Sequence, residues 1–413
     1  MKKKVGPSAI RGKLQAPPSK SYAQRAIAVA AMAAGPSEIL SPGSSDDVNA
    51  AVNVARQLGA KVEEYAGNLR ISGGISVPGE PLDCGEAGLS IRMFSSVASV
   101  FHDPVTLSGR GSLLKRPMSV VEESLRAIGV ECSTNNGYLP LTVRGPIRGG
   151  VAEIDGSFSS QVLTGMLIAS PYAQNDVTLL VNNLKSRPYI DITLAVMADF
   201  GAEAENRGYS EFFVRAGQKY RPARYMVEGD WSGAAFLLVA GAVGGEVTVE
   251  NIDMASPQAD RAIVDALKMS GADVSVRGQE ISVRKAPLKA FDFDATDCPD
   301  LFPPLVCLAS YCRGETRIRG AGRLIHKESN RAETLREEFG KLGVSVKVEQ
   351  DIMVVKGNGC KGGIVTSHGD HRIAMACAVA AIASEKGVVI EGAEAVAKSY
   401  PDFFDDLEKL RAD

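Results

Sequence analysis

Three residues that can bind an anion, Lys20, Ser21 and Arg25, lie at the start of an otherwise almost wholly apolar stretch, PPSKSYAQRAIAVAAMAAG. Residues 26–34 carry no polar side chain, so the stretch predicts a helix buried along most of its length, with Ser19 or Ser21 as its N-cap. Two cations beside the partial positive charge of a helix N-terminus repel one another unless an anion lies there. The pattern therefore predicts an anion site; the alternative is that both side chains extend into water.

The composition is that of a globular chain and restricts the classes of partner. The 413 residues are 45% hydrophobic and 23% charged, enough for two domains with their own cores, and the net charge of −3 gives no general attraction to nucleic acid or to anionic membranes. Seven cysteines without a C-x-x-C pair favour reduced thiols over disulfides or a zinc site. With no apolar run long enough for a membrane span and no signal peptide, we expect a cytoplasmic protein.

The chain repeats one pattern, in which an amphipathic helix ends in glycine and a hairpin follows. The glycines recur at intervals of 70 or 72 residues, and each is expected to be the left-handed residue that ends its helix. They are Gly59, Gly129, Gly201, Gly271 and Gly343, and LEKLRAD at the end of the sequence looks like a sixth helix. We therefore predict six strand–helix–strand–helix–hairpin units of the α/β (α+β) class.

A second, small-residue-rich apolar helix recurs in each unit, and it places the polar motifs. Each of these helices is preceded by a polar segment, and all but DCPDLF contain Gly or Ser: SKSYAQR, CGEAGLSIR, GSFSSQ, EGDWSG, DCPDLF and HGDHR. Three units per domain give one domain of residues 19–226 and a second of residues 1–18 plus 227–413, because the N-terminal strand completes the second. Helix N-termini from two facing domains would meet at one cleft and form an anion site there.

Ten segments in register resemble the enolpyruvyl transferases, and within them the branch that acts on shikimate 3-phosphate. The segments are KSYAQR, GEAGLSIR, LKRPM, GSFSSQ, SRPYIDITL, VEGDWSGAAF, CPDLFPPL, HKESNR, GDHRIAM and KSYPDFF, spread from about Leu14 to Phe404. The resemblance implies a two-domain inside-out α/β barrel, three units per domain, with the active-site cleft between the domains. It also implies transfer of the enolpyruvyl group from phosphoenolpyruvate to the 5-hydroxyl of shikimate 3-phosphate, through a tetrahedral intermediate, in aromatic amino acid biosynthesis. No metal or organic cofactor is implied, and we expect a monomer.

The resemblance also implies roles for individual residues. Those expected at phosphoenolpyruvate are Lys20, Gly88, Arg92, Arg116, Gln161, Arg331, Arg372 and Lys398. Those expected at shikimate 3-phosphate are Lys20, Ser21, Arg25, Ser159, Ser160, Gln161, Ser186, Asp300 and Lys327. Lys20, Asp300 and Glu328 are expected to be catalytic, Asp300 at the attacking hydroxyl and Glu328 as the proton shuttle to the methylene. Arginine suits such substrates because its planar fork binds a carboxylate or phosphate through two hydrogen bonds.

Structural alternatives exist for the two carboxylates. Without the resemblance, Asp300 would be expected to be the N-cap of a helix that starts near Leu301, and Glu328 to form a surface ion pair with Lys327 or Arg331. Asp370 is expected to cap the helix that follows it, with His371 in a supporting role only. The binding cations are expected to have few counter-ions, which would hold the domains apart without ligand.

Three positions depart from the pattern of the family, and two other functions compete. Glu86 and Arg323 stand where asparagine is usual, and Asn330 stands where aspartate is usual; we expect a local cation, Arg323 for example, to neutralise Glu86. One alternative is the sibling transferase that uses UDP-N-acetylglucosamine, but the loop GRGSLLKRPM lacks that branch's cysteine, and Ser21 follows Lys20 instead of asparagine. The other is a non-catalytic anion-binding member of the fold.

Overall fold

The computed structural model describes residues 1–157, 159–325 and 327–412, and the chain divides into two compact units. We call Pro18–Val227 the N-terminal unit, and Met1–Pro17 with Glu228–Asp413 the C-terminal unit. Two strands precede the N-terminal unit, β1 (Lys2–Val5) and β2 (Ile10–Gln15). Both pair with strands of the C-terminal unit, as given below.

The N-terminal unit contains three copies of the predicted repeat. Its helices are α1 (Lys20–Met32), α2 (Asp46–Gln57), α3 (Gly88–Ala98), α4 (Ser119–Ala127), α5 (Ser160–Ala169) and α6 (Pro188–Asp199). Its strands are β3 (Pro36–Leu40), β4 (Lys61–Tyr65), β5 (Asn68–Ser72), β6 (Leu82–Asp83), β7 (Val105–Ser108), β8 (Glu131–Asn135), β9 (Tyr138–Arg144), β10 (Gly150–Asp155), β11 (Val177–Asn182), β12 (Glu205–Arg207), β13 (Glu211–Val214) and β14 (Arg224–Met226). They form sheets in the orders β14-β3-β5-β4, β6-β7-β9-β8 and β10-β11-β13-β12.

The C-terminal unit follows the same plan. Its helices are α7 (Trp231–Gly244), α8 (Ile263–Met269), α9 (Phe302–Ser310), α10 (Arg331–Lys341), α11 (His371–Ile382) and α12 (Phe403–Lys409). Its remaining strands are β15 (Gly245–Glu250), β16 (Asp273–Arg277), β17 (Glu280–Arg284), β18 (Asp292–Asp294), β19 (Gly314–Arg319), β20 (Ser345–Glu349), β21 (Ile352–Gly357), β22 (Gly363–Thr366) and β23 (Val388–Glu391). The sheet orders are β16-β17-β15-β2, β18-β19-β21-β20 and β1-β23-β22.

Each complete sheet joins one parallel pair of strands to an antiparallel hairpin. In the second copy, for example, β6 is parallel to β7, and β7 is antiparallel to β9 of the hairpin β8–β9. The N-terminal strands fill the same positions in the C-terminal unit, since β2 is parallel to β15 and β1 is antiparallel to β23. The last copy ends at α12, so β1 takes the place of its missing hairpin.

The repeated glycines end their helices as predicted. Each of the five is the second residue after the last helical residue, and their φ angles lie between 80° and 96°. A residue with a Cβ is strained in this left-handed region, so glycine lets the chain leave the helix and enter the hairpin.

The α/β class and the six-fold repeat are confirmed, but the sheets do not close into a barrel. Over the described residues, the strands form six separate sheets, each of three or four strands. Apolar helices lie inside both units: α1 is buried from Tyr22 to Met32, and all of α11 is buried. In the C-terminal unit, α7, α9 and α11 pack against one another, while α3 contacts α1 and α5 in the N-terminal unit. Among the described residues, no helix has the length and apolarity needed to cross a bilayer.

Candidate active site

The start of α1 carries a counter-ion that the sequence did not reveal. Lys20 is the first residue of α1, and its Nζ lies 2.6 Å from Asp47 Oδ2 in the first turn of α2. Both side chains are largely buried, with 13% and 7% of their surfaces exposed. Ser19 is at the N-cap position as predicted, but its hydroxyl does not cap the helix. The positive charge at this helix start is therefore balanced by a carboxylate of the neighbouring helix.

Arg25 lies inside the N-terminal unit, so the alternative in which it extends into water is wrong. Its side chain is buried, and its guanidinium donates to Thr193 Oγ1 (2.9 Å), Thr164 Oγ1 (3.2 Å) and the carbonyls of Ser21 (2.7 Å) and Tyr189 (3.2 Å). These acceptors are neutral, and burial lowers the pKa of Arg25 to about 10. A buried arginine held by neutral acceptors keeps a positive charge for an anion to offset.

Arg116 lies directly against the backbone at the start of α3. A Cβ built on Gly88, the first residue of α3, would lie 2.3 Å from Arg116 Nη1. Only glycine therefore admits the guanidinium this close to the N-terminus of the helix, where the first backbone N–H groups point outward. Arg116 is nearly buried, with 9% of its surface exposed. The structure thus brings together two of the residues predicted at phosphoenolpyruvate.

Arg92 is hydrogen-bonded to Gln161, and both residues were predicted at phosphoenolpyruvate. Its Nη1 donates to Gln161 Oε1 (3.0 Å) and to the carbonyl of Gly88 (3.1 Å). The backbone N–H of Gln161 donates to Ser159 Oγ at 3.2 Å, which makes Ser159 the N-cap of α5. Arg92 is buried, so it orients the amide of Gln161 from within the unit.

Two further serines of the predicted set are nearly buried, whereas Ser21 is half-buried. Ser160 and Ser186 have 5% and 4% of their surfaces exposed. Ser186 adopts a φ of 56°, a conformation that residues other than glycine adopt at a cost and that is frequent at functional sites. Phe158 of GSFSSQ and His326 of HKESNR lie outside the described residues.

In the C-terminal unit, Arg331 is surrounded by three carboxylates. Its Nε and Nη2 donate to the two oxygens of Asp370 (2.9 and 3.2 Å), Nη1 donates to Asp300 Oδ1 (2.8 Å), and Nη2 also donates to Glu328 Oε2 (2.7 Å). The Arg331 side chain is fully buried. Burial alone would lower the pKa of its guanidinium, but Asp370, Glu328 and Asp300 together raise it. Arg331 is therefore a fixed cation at the start of α10.

Asp300 contacts three cations in this unit. Lys327 Nζ lies 3.2 Å and Arg331 Nη1 2.8 Å from Oδ1, and Arg372 Nη2 lies 3.1 Å from Oδ2. Burial alone would raise the pKa of the Asp300 carboxyl, but Arg372, Lys327 and Arg331 hold it well below its usual value. Asp300 is thus ionised at neutral pH, and 18% of its side chain remains exposed. Burial lowers the pKa of the Lys327 ammonium, although Asp300 opposes this shift.

The expectation of few counter-ions is wrong. Lys327, Arg331 and Arg372 share the carboxylates of Asp300, Glu328 and Asp370 described above. The physical reason is that buried cations without partners would repel one another and lose their hydration, at a large cost in free energy. Lys398, the last of the predicted cations, ends a 3₁₀ turn at Ala393–Lys398 and is nearly buried, with 6% exposed.

The structural roles that were considered for the carboxylates are wrong for Asp300, partly right for Glu328 and confirmed for Asp370. Asp300 is not an N-cap, because it lies within the 3₁₀ turn Pro299–Leu301 and the N-cap of α9 is Leu301. Glu328 does pair with Arg331, but the pair is buried instead of lying on the surface. Asp370 is confirmed as the N-cap of α11, where Oδ1 accepts from the Arg372 N–H at 3.0 Å. Its second role, as the partner of Arg331, was missed because the sequence separates the two by 39 residues.

The three departures have local partners. Asn330 is the N-cap of α10, and its side chain accepts from the Glu333 N–H, so this position serves the helix. Glu86 Oε2 accepts from the N–H and the hydroxyl of Ser112, at 3.1 and 2.9 Å, partners that the sequence did not indicate. Arg323 Nη1 donates to the carbonyl of Thr296 at 3.2 Å. The pairing of Glu86 with Arg323 stays a prediction.

One further cluster has ligand types suitable for a metal. Carboxylate and imidazole atoms of Glu337, Glu338 and His368 lie within 4.8 Å of one another. Lys341 Nζ lies 3.0 Å from Glu337 and 2.8 Å from Glu338, and the Thr366 N–H donates to Glu338 as well. Because Lys341 already balances the charge, we do not assign a metal to these residues.

Comparison with known proteins covers the whole chain. A family model described as EPSP synthase (3-phosphoshikimate 1-carboxyvinyltransferase) matches residues 4–407. The 3-phosphoshikimate 1-carboxyvinyltransferase of Clostridium novyi is 36% identical over 420 residues, covering 98% of this chain and 97% of the relative. The protein of the same name from Aeropyrum pernix is 39% identical over 409 residues, covering 99% and 95%.

Solved structures give the same result for the fold. An EPSP synthase from Acinetobacter baumannii matches with a TM-score of 0.85 and 26% identity, covering 99% of this chain and 98% of the other. The enolpyruvyl transferase NikO from Streptomyces tendae matches with a TM-score of 0.80 over 99% and 97% of the two chains. Its identity of 18% supports a common fold alone.

Proposed function

The chain belongs to the EPSP synthase family, and we propose that the paired cations and carboxylates described above carry out the family's reaction. That reaction transfers the enolpyruvyl group of phosphoenolpyruvate to the 5-hydroxyl of shikimate 3-phosphate and releases phosphate. The observation that supports the assignment best is the cluster around Arg331, in which three cations and three carboxylates share hydrogen bonds within one unit. Such a cluster offers both anion-binding groups and proton acceptors.

Phosphoenolpyruvate carries a carboxylate and a phosphate, so it needs several cations. We assign Arg331, Arg372 and Lys398 of the C-terminal unit and Lys20, Arg92, Arg116 and Gln161 of the N-terminal unit to this substrate, with the α3 N-terminus at Gly88. Arg116 at Gly88 supports this role, since a guanidinium and the first N–H groups of a helix both bind phosphate oxygens. Gln161, held by Arg92, offers an amide to the same ligand.

Asp300 and Glu328 are proposed to move the protons. When the 5-hydroxyl oxygen adds to C2 of phosphoenolpyruvate, its proton passes to the Asp300 carboxylate, and C3 gains a proton through Glu328. The C2–O bond to phosphate then breaks, and phosphate leaves with the proton that Asp300 took up. C3 returns a proton to Glu328 as the double bond is restored. Asp300 suits the first step because its low pKa keeps it ionised, and Glu328 is held in place by Arg331.

Shikimate 3-phosphate is assigned to the serine-rich set with its cations. Ser159 and Ser160 at the start of α5 offer hydroxyls and N–H groups to a phosphate, and Arg25 lies buried in the same unit. The complete set is Lys20, Ser21, Arg25, Ser159, Ser160, Gln161, Ser186, Asp300 and Lys327. Lys327 reaches this ligand as the partner of Asp300.

We further propose that residues 19–226 and residues 1–18 plus 227–413 act as two domains that close over the substrates, and that the enzyme is a cytoplasmic monomer. These proposals are supported by the repeat, in which a polar segment precedes an apolar helix in both halves of the chain, and by membership of the family. Small-angle scattering with and without shikimate 3-phosphate tests closure, because an unchanged radius of gyration in active protein would contradict it. Gel filtration with light scattering tests the monomer, and cell fractionation tests the location.

Phosphate release from phosphoenolpyruvate tests the assignment. Purified protein is expected to release phosphate with shikimate 3-phosphate and to release none with UDP-N-acetylglucosamine or without an acceptor. Lys327→Met removes a charge-assisted contact and should raise the KM for shikimate 3-phosphate at least ~tenfold. Lys341→Met is the matched control, since Lys341 also pairs with glutamates but lies outside the proposed set. Equal KM values in the two variants would refute the role of Lys327.

A further inference from the structure

A buried carboxyl lies outside the set assigned above. Asp260 belongs to the 3₁₀ turn Ala259–Ala262, and 2% of its surface is exposed. Its Oδ2 accepts a hydrogen bond from the hydroxyl of Ser232 in the first turn of α7. Its Oδ1 is buried and, among the residues that the structure describes, has no hydrogen-bond partner. An ionised carboxylate is costly to bury with one oxygen unpaired, so this environment favours the protonated form.

The position of Asp260 is fixed by hydrogen bonds between its segment and the start of α7. The Trp231 N–H donates to Gln258 Oε1 at 3.1 Å, and Gln258 Nε2 donates to the Gly229 carbonyl at 2.8 Å. The indole of Trp231 donates to the Asp253 carbonyl at 3.1 Å. The turn that carries Asp300, Pro299–Leu301, also packs against α7. Two carboxyl-bearing turns thus lie against one helix.

Opposing charges act on Asp260 from these elements. Burial, followed by the charge of Asp300, raises the pKa of Asp260 to about 7, and Asp230 adds to this effect. Arg372 on α11 and the hydrogen bond from Ser232 act in the opposite direction. The Cys298 thiol lies in the same environment and stays protonated, because burial and then Asp260 raise its pKa. The carboxyls of Asp260 and Asp300 thus act on the same cation, Arg372, which lies 3.1 Å from Asp300 and whose charge lowers the pKa of Asp260.

We propose that Asp260 is a positioning residue that acts on phosphoenolpyruvate through Arg372. When Asp260 is neutral, it does not compete for Arg372, whose Nη2 lies 3.1 Å from Asp300 Oδ2, and the guanidinium can bind an incoming anion. When Asp260 is ionised, a second carboxylate competes with phosphoenolpyruvate for the same guanidinium. This inference rests on the proposed function, which assigns Arg372 to phosphoenolpyruvate.

The charge of Asp260 is measured first, in protein without substrates. Infrared difference spectra between the wild type and Asp260→Asn should show the C=O stretch of a protonated carboxyl at pH 5, and this band should disappear as the pH rises through about 7. Absence of the band between pH 5 and pH 8, in variants that fold by circular dichroism, would overturn the inference. This measurement does not depend on any substrate assignment.

The kinetic test follows the KM for phosphoenolpyruvate with pH. If only the form with neutral Asp260 binds well, KM should rise ~tenfold more between pH 6 and pH 8 in the wild type than in Asp260→Asn, with kcat little changed. Asp265→Asn, an exposed carboxylate on α8, is the matched control and should behave like the wild type. The comparison between variants cancels the titration of the substrate's own phosphate.

Ser232→Ala separates a positioning role from a purely structural one. Because the Ser232 hydrogen bond lowers the pKa of Asp260, its loss should move the rise in KM to higher pH while the carboxyl stays in place. Suppose that Asp260 titrates in the infrared spectra but that KM depends on pH in the same way in the wild type and in Asp260→Asn. This result would refute the link to Arg372. If the wild type failed to turn over both substrates, the proposed function would fall, and the infrared titration would still decide the charge of Asp260.

Discussion

The contact between Gly88 and Arg116 allows a single methyl group to test the phosphoenolpyruvate site. In Gly88→Ala, the new Cβ would lie 2.3 Å from Arg116 Nη1 and 2.9 Å from Cζ, whereas ordinary contacts begin at 3.4 Å. The guanidinium must therefore move by about 1 Å, which the free end of a long side chain can do without unfolding the protein. Losing one charge-assisted hydrogen bond costs about 1.5–3 kcal/mol, so KM for phosphoenolpyruvate should rise roughly ten- to a hundredfold.

Steady-state phosphate release, with each substrate varied in turn, measures this change. KM for shikimate 3-phosphate should stay within about twofold, because Arg116 is not assigned to that ligand. Gly79→Ala is the matched control: Gly79 lies in the same unit, and a Cβ there would meet no atom within 4 Å. An unchanged KM for phosphoenolpyruvate in Gly88→Ala would show that Arg116 does not bind this substrate.

Three other perturbations test individual charged residues. Glu328→Gln and Asp300→Asn should each lower kcat by roughly two to four orders of magnitude while calorimetric binding of shikimate 3-phosphate changes far less; near-normal turnover would return that residue to a structural role. Glu86→Asn should lower and Arg323→Asn should raise KM for phosphoenolpyruvate, and a double-mutant cycle should give a coupling of about 1 kcal/mol or more; simple additivity would refute the pair. Burial raises the pKa of Asp260 to about 7, so its ionisation opposes folding: stability is full below the unfolded pKa near 3.9 and is lost as the pH rises to about 7. Between pH 5 and pH 8, the wild type should therefore lose ~3 kcal/mol of unfolding free energy that Asp260→Asn does not lose. If the difference in urea midpoint between the two proteins is the same at both pH values, this prediction is contradicted.

The fold could be predicted from the sequence where a local rule governs the chain. Glycine two residues beyond a helix is a requirement of the backbone at that point, so Gly59 and its four counterparts located the helix ends correctly. The apolar runs at α1 and α11 predicted buried helices for the same kind of reason, since a helix without a polar face needs cover on every side. The order of strands within the six sheets could not be predicted in this way, because alternation along a strand does not specify which neighbour its edge will meet.

The partners of the charged residues could not be predicted in the same way. Asp47 is 27 residues from Lys20, and Asp370 is 39 residues from Arg331, so no periodicity along the chain relates the members of either pair. Arg25 was harder still, because its acceptors are hydroxyls and carbonyls, groups that occur throughout any sequence. In physical terms, the sequence indicates which charges need compensation, while tertiary contacts decide what compensates them.

The paired state of these cations changes the expected role of Asp300. A carboxylate held well below its usual pKa by Arg372, Lys327 and Arg331 is a weak base before substrates arrive. On the proposed function, phosphoenolpyruvate takes up Arg331 and Arg372, and shikimate 3-phosphate takes up Lys327, so the same cations are then shared with substrate anions. When a substrate anion shares one of these cations, that cation attracts the Asp300 carboxylate less strongly. The pKa of Asp300 should then rise, so that the carboxylate accepts a proton more readily. Because both substrates must bind before all three cations are shared, Asp300 should become an effective base only in the complete complex, where the hydroxyl that it deprotonates lies beside the enol carbon.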